Sequence, residues 1–247
     1  MWTIILISLG SSLLINIVLF LIAFSRKSDK LTDISYALSF LTIDLFSLIY
    51  VGKYSFTNLV LFALVAIWAV RIGGFLLYRV LKVGKDRRFD GIRESFTRFG
   101  KFWVGQAITA WVLMLPITLA LYNGAKFKVL VFLGVVVWVV GLLAEAIADY
   151  QKFRFKQNKN NQGKWIQEGI WKLSRHPNYF GEITVWVGIY IACFSDLSTA
   201  EKMIGLASPL LISVVLLFIS GVPLLEKSAD ERWGKDEAYK KYKQHTR

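Results

Sequence analysis

Seven apolar runs set the terms on which this chain can fold: Trp2 to Phe24, Thr32 to Val51, Thr57 to Leu81, Phe102 to Tyr122, Val129 to Ala148, Tyr179 to Phe194 and Met203 to Leu225. Runs of about 18 apolar residues suffice for a helix to cross a hydrocarbon layer roughly 30 Å thick. The expected fold is therefore all-α, a polytopic membrane bundle of about seven transmembrane helices in a single integral domain over residues 1–247. The shortest run, Tyr179 to Phe194, carries Glu182 and is expected to be tilted or partly covered by loops.

The basic residues orient the bundle, since cytoplasmic loops hold Lys and Arg in excess. With the N-terminus outside and the C-terminus cytoplasmic, the inner segments are 25–31, 82–101, 149–178 and 226–247, and these hold most of the 30 Lys and Arg. Lys53, Lys126, Lys128 and Lys202 face outward. The formal charge of +13 is thus a product of topology, and no nucleic-acid partner is expected. A single cysteine in 247 residues excludes a disulfide-built secreted domain, and Cys193 reads as a small packing residue in an apolar helix. Met1 to Phe24 lacks a basic start and a clear small-residue cleavage site, so it reads as a retained first helix.

A charge near the bilayer centre costs at least about 2.5 kcal/mol even on lenient insertion scales, so ionisable residues inside the apolar runs mark function. Asp44, Arg71, Glu145 and Glu182 are such residues, and Asp149 joins them at the inner boundary. On the fifth run Glu145, Asp149, Lys152 or Phe153, and Lys156 follow at three- or four-residue spacing, one stripe leading from the membrane into the cytoplasm. Two acids four residues apart repel unless a cation, a hydrogen-bonded ligand or a shifted proton intervenes. Arg71 is the natural partner, either in a ligand site or in an interhelix salt bridge that holds the bundle.

The stretch Ser174-Arg175-His176-Pro177-Asn178-Tyr179-Phe180-Gly181-Glu182 gathers cation, imidazole, amide and carboxylate where a polar loop enters an apolar helix. Pro177 suits the first helical turn, which sets Arg175 and His176 just outside the positive helix end, a seat for phosphate. Asn178 and Glu182 share a face and suit an amide or hydroxyl. The plainer alternative is a capped helix start whose arginine snorkels to the headgroups. The basic loops, with Lys82, Lys85, Arg87, Arg88, Arg93 and Arg98 in one and Lys152, Arg154, Lys156, Lys159, Lys164, Lys172 and Arg175 in the other, suit a multiply charged nucleotide or anionic membrane lipids. Glu226 and Glu231 in the tail read either as a lid or as a solvated helix.

These residues carry a resemblance. Ala148 to Phe155 (Ala-Asp-Tyr-Gln-Lys-Phe-Arg-Phe), Gly169-Ile170-Trp171 with Ser174 to Glu182, Trp68 to Gly74, and the tail from Glu226-Lys227-Ser228 through Trp233, Tyr239 and Tyr242 resemble the DUF1295 branch of the steroid 5-alpha-reductase superfamily. The likeness covers roughly residues 60–247. It implies a seven-helix membrane reductase that takes NADPH from the cytoplasmic side and reduces an electron-poor carbon-carbon double bond in a lipophilic substrate. The resemblance places nucleotide contacts at Arg71, Glu145, Asp149, Lys156, Asn178 and Glu182, beside Arg175 and His176. Better-known members carry Asn in place of Glu145 and Arg in place of Lys156.

Such a reduction needs hydride delivery to the beta carbon and an acid at the developing enolate oxygen. Steroid reductases use a Glu and a Tyr, and the resemblance puts Tyr36 and Trp68 in their places, so neither keeps a carboxylate; Asp33 and Asp44 stand near enough in sequence to replace it. The compact length and the family branch point to a bacterial inner membrane. Isoprenylcysteine carboxyl methyltransferases share an Arg-His-Pro-x-Tyr element and an acidic, aromatic tail, which keeps S-adenosylmethionine-dependent methyl transfer as the alternative. Glu182 and the Ala-Asp-x-x-Lys-Phe pattern fit the reductase branch better. A lipid-binding or scaffolding protein with a decayed site is a third reading.

Overall fold

The computed structural model describes residues 1–83 and 89–246. Lys85, Arg87 and Arg88 of the first basic loop lie outside the described residues. The described elements are helical: α1 Trp2–Ser25, α2 Thr32–Val51, α3 Phe56–Val83, α4 Phe96–Asn123, α5 Val129–Gln157, α6 Pro177–Cys193, α7 Thr199–Val214, α8 Val222–Trp233 and α9 Glu237–His245, with short 3₁₀ turns between them. Among the described residues six stretches are long and apolar enough to cross a membrane: Trp2–Ser25, Thr32–Val51, Phe56–Lys82, Phe96–Asn123, Val129–Gln157 and Thr199–Trp233. Of the seven apolar runs, the one that forms the 17-residue α6 falls short of that length. Large apolar side chains stand outward along these helices, with Val129, Phe132, Val140 and Leu143 of α5 all exposed. Such a face is ruinous in water and ordinary in lipid.

Helix ends depart from the apolar runs where local chemistry outlasts hydrophobicity. α4 begins at Phe96, well before the apolar run, because the Ser95 hydroxyl accepts a hydrogen bond from the Arg98 N–H. It ends at Gly124, whose φ of +79° is a left-handed cap that costs a glycine nothing. α5 runs on through the charged residues to Gln157, with Arg154 and Lys156 in its last turn, where the helix dipole favours cations. The last apolar run is interrupted: after α7 a π-helical turn at Val215–Ile219 leads to Gly221, where a β-carbon would sit 2.3 Å from the Leu216 carbonyl oxygen, and only then does α8 start.

The chain forms two compact units. The first comprises Met1–Gly134 with Ile189–Ser208. Here α2 packs on α1, α3 and α4, and α1 packs on α4. At one α2–α3 contact a β-carbon on Gly73 would stand 2.6 Å from that of Ala37. Buried polar groups tie the helices: Asn16 Nδ2 donates to Ser39 Oγ at 2.7 Å, Gln106 Nε2 to Ser35 Oγ at 2.6 Å, and Ser12 Oγ to the Ala107 carbonyl at 2.9 Å. In hydrocarbon, where no water can substitute, such pairs fix helix register. Arg93 of the first basic loop is buried between Asp29 and Asp90, so it locks this unit together. The second unit comprises Val135–Gly188 and the chain from Pro209 onward.

Candidate functional site

The second unit is built on a seam of two glycines. A β-carbon on Gly141 of α5 would meet the Val185 nitrogen at 2.6 Å and the Gly181 oxygen at 2.8 Å; one on Gly181 of α6 would meet the Glu145 nitrogen at 2.5 Å. Backbone therefore lies on backbone, the small-residue contact of membrane helices. Glu145, 2% exposed, is buried in this seam. One turn further along α5, Asp149 Oδ1 accepts a hydrogen bond from Asn178 Nδ2 of α6 at 3.3 Å. Asn178 Oδ1 is buried without a hydrogen-bond partner among the described residues. Glu182, four residues on, is half-buried.

Because the seam is backbone against backbone, overpacking cannot be relieved by a rotamer change. We expect Gly181→Ala to lower stability by about 1–3 kcal/mol or more, seen as a clear drop in Tm of the detergent-solubilised protein. Gly105→Ala, whose β-carbon would meet nothing within 4 Å, is the control and should leave Tm unchanged or slightly raised. Equal Tm for the two variants refutes the seam.

The loop entering α6 is pinned to α5 by the residues around Gly169-Ile170-Trp171. Gly169 has a φ of +57°, and a β-carbon there would fall 2.4 Å from the Gln151 amide, so the position admits glycine on two counts. Gln151 Oε1 accepts from the Ile170 N–H at 3.1 Å, and Trp171 Nε1 donates to the Ala148 carbonyl at 3.1 Å. Trp171 is buried, and Lys152 Nζ stands 4.7 Å from its ring centroid, a cation–π contact.

The C-terminal helices close on the same loop. Glu226 of α8 accepts from Arg175 Nη1 at 2.6 Å, from Lys243 Nζ at 3.1 Å, and pairs through Oε1 with His176 Nε2 at 2.7 Å. Asp236 caps α9 by accepting from the Ala238 and Tyr239 N–H groups. The Tyr242 hydroxyl donates to the Trp171 carbonyl at 3.0 Å, and burial pushes its phenol up to about 12. Trp233 Nε1 donates to the Gly163 carbonyl at 2.5 Å. Burial holds the His176 imidazole below the ordinary histidine value, and Lys152 and Arg175 push the same way against the pull of Glu226. His176 is therefore neutral near pH 7.

Between these elements lies a cavity of about 170 Å³ with two kinds of wall. Lys152, Lys156, Lys164, Arg175 and Arg232 supply positive charge; Trp165, Trp171, Trp233, Tyr239 and Tyr242 supply aromatic faces; Glu226 is the acid among the lining residues. Trp165 is edge-on to Tyr239 at 5.2 Å and to Trp233 at 6.0 Å. The volume is under the roughly 300–1,000 Å³ of drug-sized pockets, so it would enclose only part of a ligand of that size.

Of the residues singled out from sequence, Lys156, Arg175 and His176 line this cavity, Asp149 meets Asn178, and Glu145 lies under Gly181. Glu182, also of the second unit, is half-buried on α6, whereas Tyr36, Asp44, Trp68 and Arg71 belong to the first unit. Tyr36 and Trp68 each lie edge-on to Phe40, at 4.8 and 5.0 Å. Asp44 is fully buried, and neither carboxyl oxygen has a hydrogen-bond partner among the described residues. Arg71 is half-buried on α3, and Asp33 pairs with Arg79 at 3.3 Å. Sequence reading did not place Trp165, Trp233, Tyr239 or Tyr242 in a site. Their alternation with cations, in Lys164-Trp165 and Arg232-Trp233, is the signal that marks them.

This architecture defines a helical, multi-pass integral membrane protein with a basic, aromatic-walled cavity at the charged ends of its membrane-length helices. The chain belongs to the DUF1295 family, proteins of unknown function, whose model matches residues 19–246. A probable O-methyltransferase, ustE, of Ustilaginoidea virens is 38% identical over 53 residues, which cover 22% of this chain and 18% of that protein. The chain thus matches less than a fifth of that relative's length. No solved structure matches it.

Proposed function

We propose that the protein is a membrane-embedded, NADPH-dependent reductase of an activated carbon-carbon double bond in a lipophilic substrate. The observation that carries this reading is the charge of the cavity wall: lysines and arginines outnumber the one acid, Glu226, among edge-on and tilted aromatic rings. A nucleotide with several phosphates gains from every one of those cations, and its bases offer faces to the rings. S-adenosylmethionine, with its sulfonium and ammonium against one carboxylate, meets repulsion in the same place.

NADPH, when bound, supplies the hydride. The chain supplies the rest: Arg175 and the lysines take phosphate oxygens, Trp165 and Tyr239 offer stacking surface, and the Asn178 amide accepts from a ligand donor. For the acid that a developing enolate needs we choose Asp44, because a buried carboxyl without a partner is what a proton-donating role leaves behind. Glu145 and Glu182 remain proposed nucleotide contacts on the second unit. The inner leaflet of a bacterial inner membrane is the proposed setting.

The second reading, methyl transfer, is favoured by the 53-residue match to a protein named as a probable O-methyltransferase. Equilibrium binding decides between them. Purified protein in detergent should quench or shift its tryptophan fluorescence saturably with NADPH, and not with S-adenosylmethionine. Saturable binding of the latter alone overturns the reductase reading.

A further inference from the structure

Arg175, His176 and Glu226 form a joined group with two loose ends. The Glu226 carboxylate is fully engaged: one oxygen takes Arg175 Nη1 and Lys243 Nζ, the other faces His176 Nε2 at 2.7 Å. A carboxylate only accepts, so the hydrogen in that short contact resides on Nε2. In a neutral imidazole the other nitrogen, Nδ1, is then a bare acceptor. His176 Nδ1 and Arg175 Nε are both buried and without hydrogen-bond partners among the described residues, and both side chains line the cavity. The imidazole lies 9° from parallel to the Tyr179 ring, with centroids 5.8 Å apart.

We propose that Glu226 is a positioning residue: it fixes His176 in the Nε2–H form, so that Nδ1 accepts a hydrogen bond from a hydroxyl or amino group of the ligand while Arg175 Nε–H takes an anionic oxygen. The pair therefore recognises a sugar hydroxyl next to a phosphate, or an amino group next to a carboxylate, and discriminates against a ligand with anionic groups at both places. This rests on the cavity being a cofactor site, the reading proposed above. It goes beyond it in making a tail residue the determinant of which way the histidine reads its ligand. The charged groups around the imidazole are Arg175 beside it, Lys152 of α5, Glu226 of α8 and, through Glu226, Lys243 of α9. An imidazolium has no bare nitrogen, so the device requires the neutral form, which burial and the two neighbouring cations favour.

Nitrogen NMR on histidine-labelled protein in micelles tests this without any variant in the site, with His245→Gln used to assign the two rings. The expected result is an Nε2–H tautomer for His176 at pH 7.5 in the free protein, and a movement of the Nδ1 resonance on titration with NADPH. An Nδ1–H tautomer overturns the inference whether or not NADPH binds. NADPH binding with Nδ1 unmoved also overturns it, and leaves the reductase reading standing. If NADPH does not bind, the reductase reading falls and the same titration with S-adenosylmethionine decides: movement supports the inference, and no movement overturns it. Glu226→Gln is expected to yield mixed tautomers and roughly 10-fold weaker binding, with Glu226→Asp restoring both in part. A Glu226→Gln protein that keeps the pure Nε2–H form and full affinity overturns it.

Discussion

Asp44→Asn is expected to slow reduction by about 10²–10⁴-fold, the range that a general acid contributes, while NADPH affinity stays within twofold of the original. Asp44 is fully buried in the middle of an apolar helix, with neither oxygen hydrogen-bonded among the described residues. A structural carboxyl in such a place would be expected to have found a partner, because burying one unpaired is costly. Asparagine keeps the shape and removes the transferable proton, so its effect is chemical rather than steric. The fold should survive, and Tm should hold or rise. The measurement is NADPH oxidation with long-chain enones in mixed micelles, beside a binding titration. An unchanged rate removes Asp44 from the chemistry; a lost binding signal with lowered Tm makes it a packing residue.

Removal of residues 226–247 is expected to weaken NADPH binding by at least about 100-fold, the equivalent of two good charge-assisted hydrogen bonds. The deleted segment brings Arg232, Trp233, Tyr239 and Tyr242 to the cavity wall, and Glu226 to Arg175 and His176. What remains, chiefly Lys152, Lys156, Lys164, Trp165, Trp171 and Arg175, keeps charge but loses the opposite wall. Since the tail stands outside the long apolar spans other than the run that leads into it, helix content by circular dichroism should fall only by the residues removed. A truncated protein that binds NADPH with its original affinity shows that the tail is not part of the site.

The helices were legible in the sequence because lipid imposes one demand over a whole run, and Val129 to Ala148 or Trp2 to Phe24 meets it without help from tertiary structure. Their ends were not, since these depend on single contacts such as Ser95 on the Arg98 N–H, or the obstruction at Gly221. The polar motif from Ser174 to Glu182 announced itself by putting charge beside apolar sequence. Its partner Glu226 was legible only as one of two tail acids, of a lid or of a solvated helix, because nothing in the local order of α8 says that it faces Arg175 rather than water. The aromatic wall was hidden for the same reason: Trp165 and Tyr239 are 74 positions apart, and only the fold makes them neighbours. Asp44 stood out by position alone, and only its lack of partners adds weight.

The glycine seam of α5 and α6 has a consequence for how anything gets in or out. Two rods that touch main chain to main chain at Gly141 and Gly181 have little slack at that point, because no side chain there can turn aside. Glu145, Asp149, Asn178 and Glu182 are mounted on those rods, so their mutual spacing is set by the main chain rather than by rotamers, and anything admitted beside them meets them already spaced.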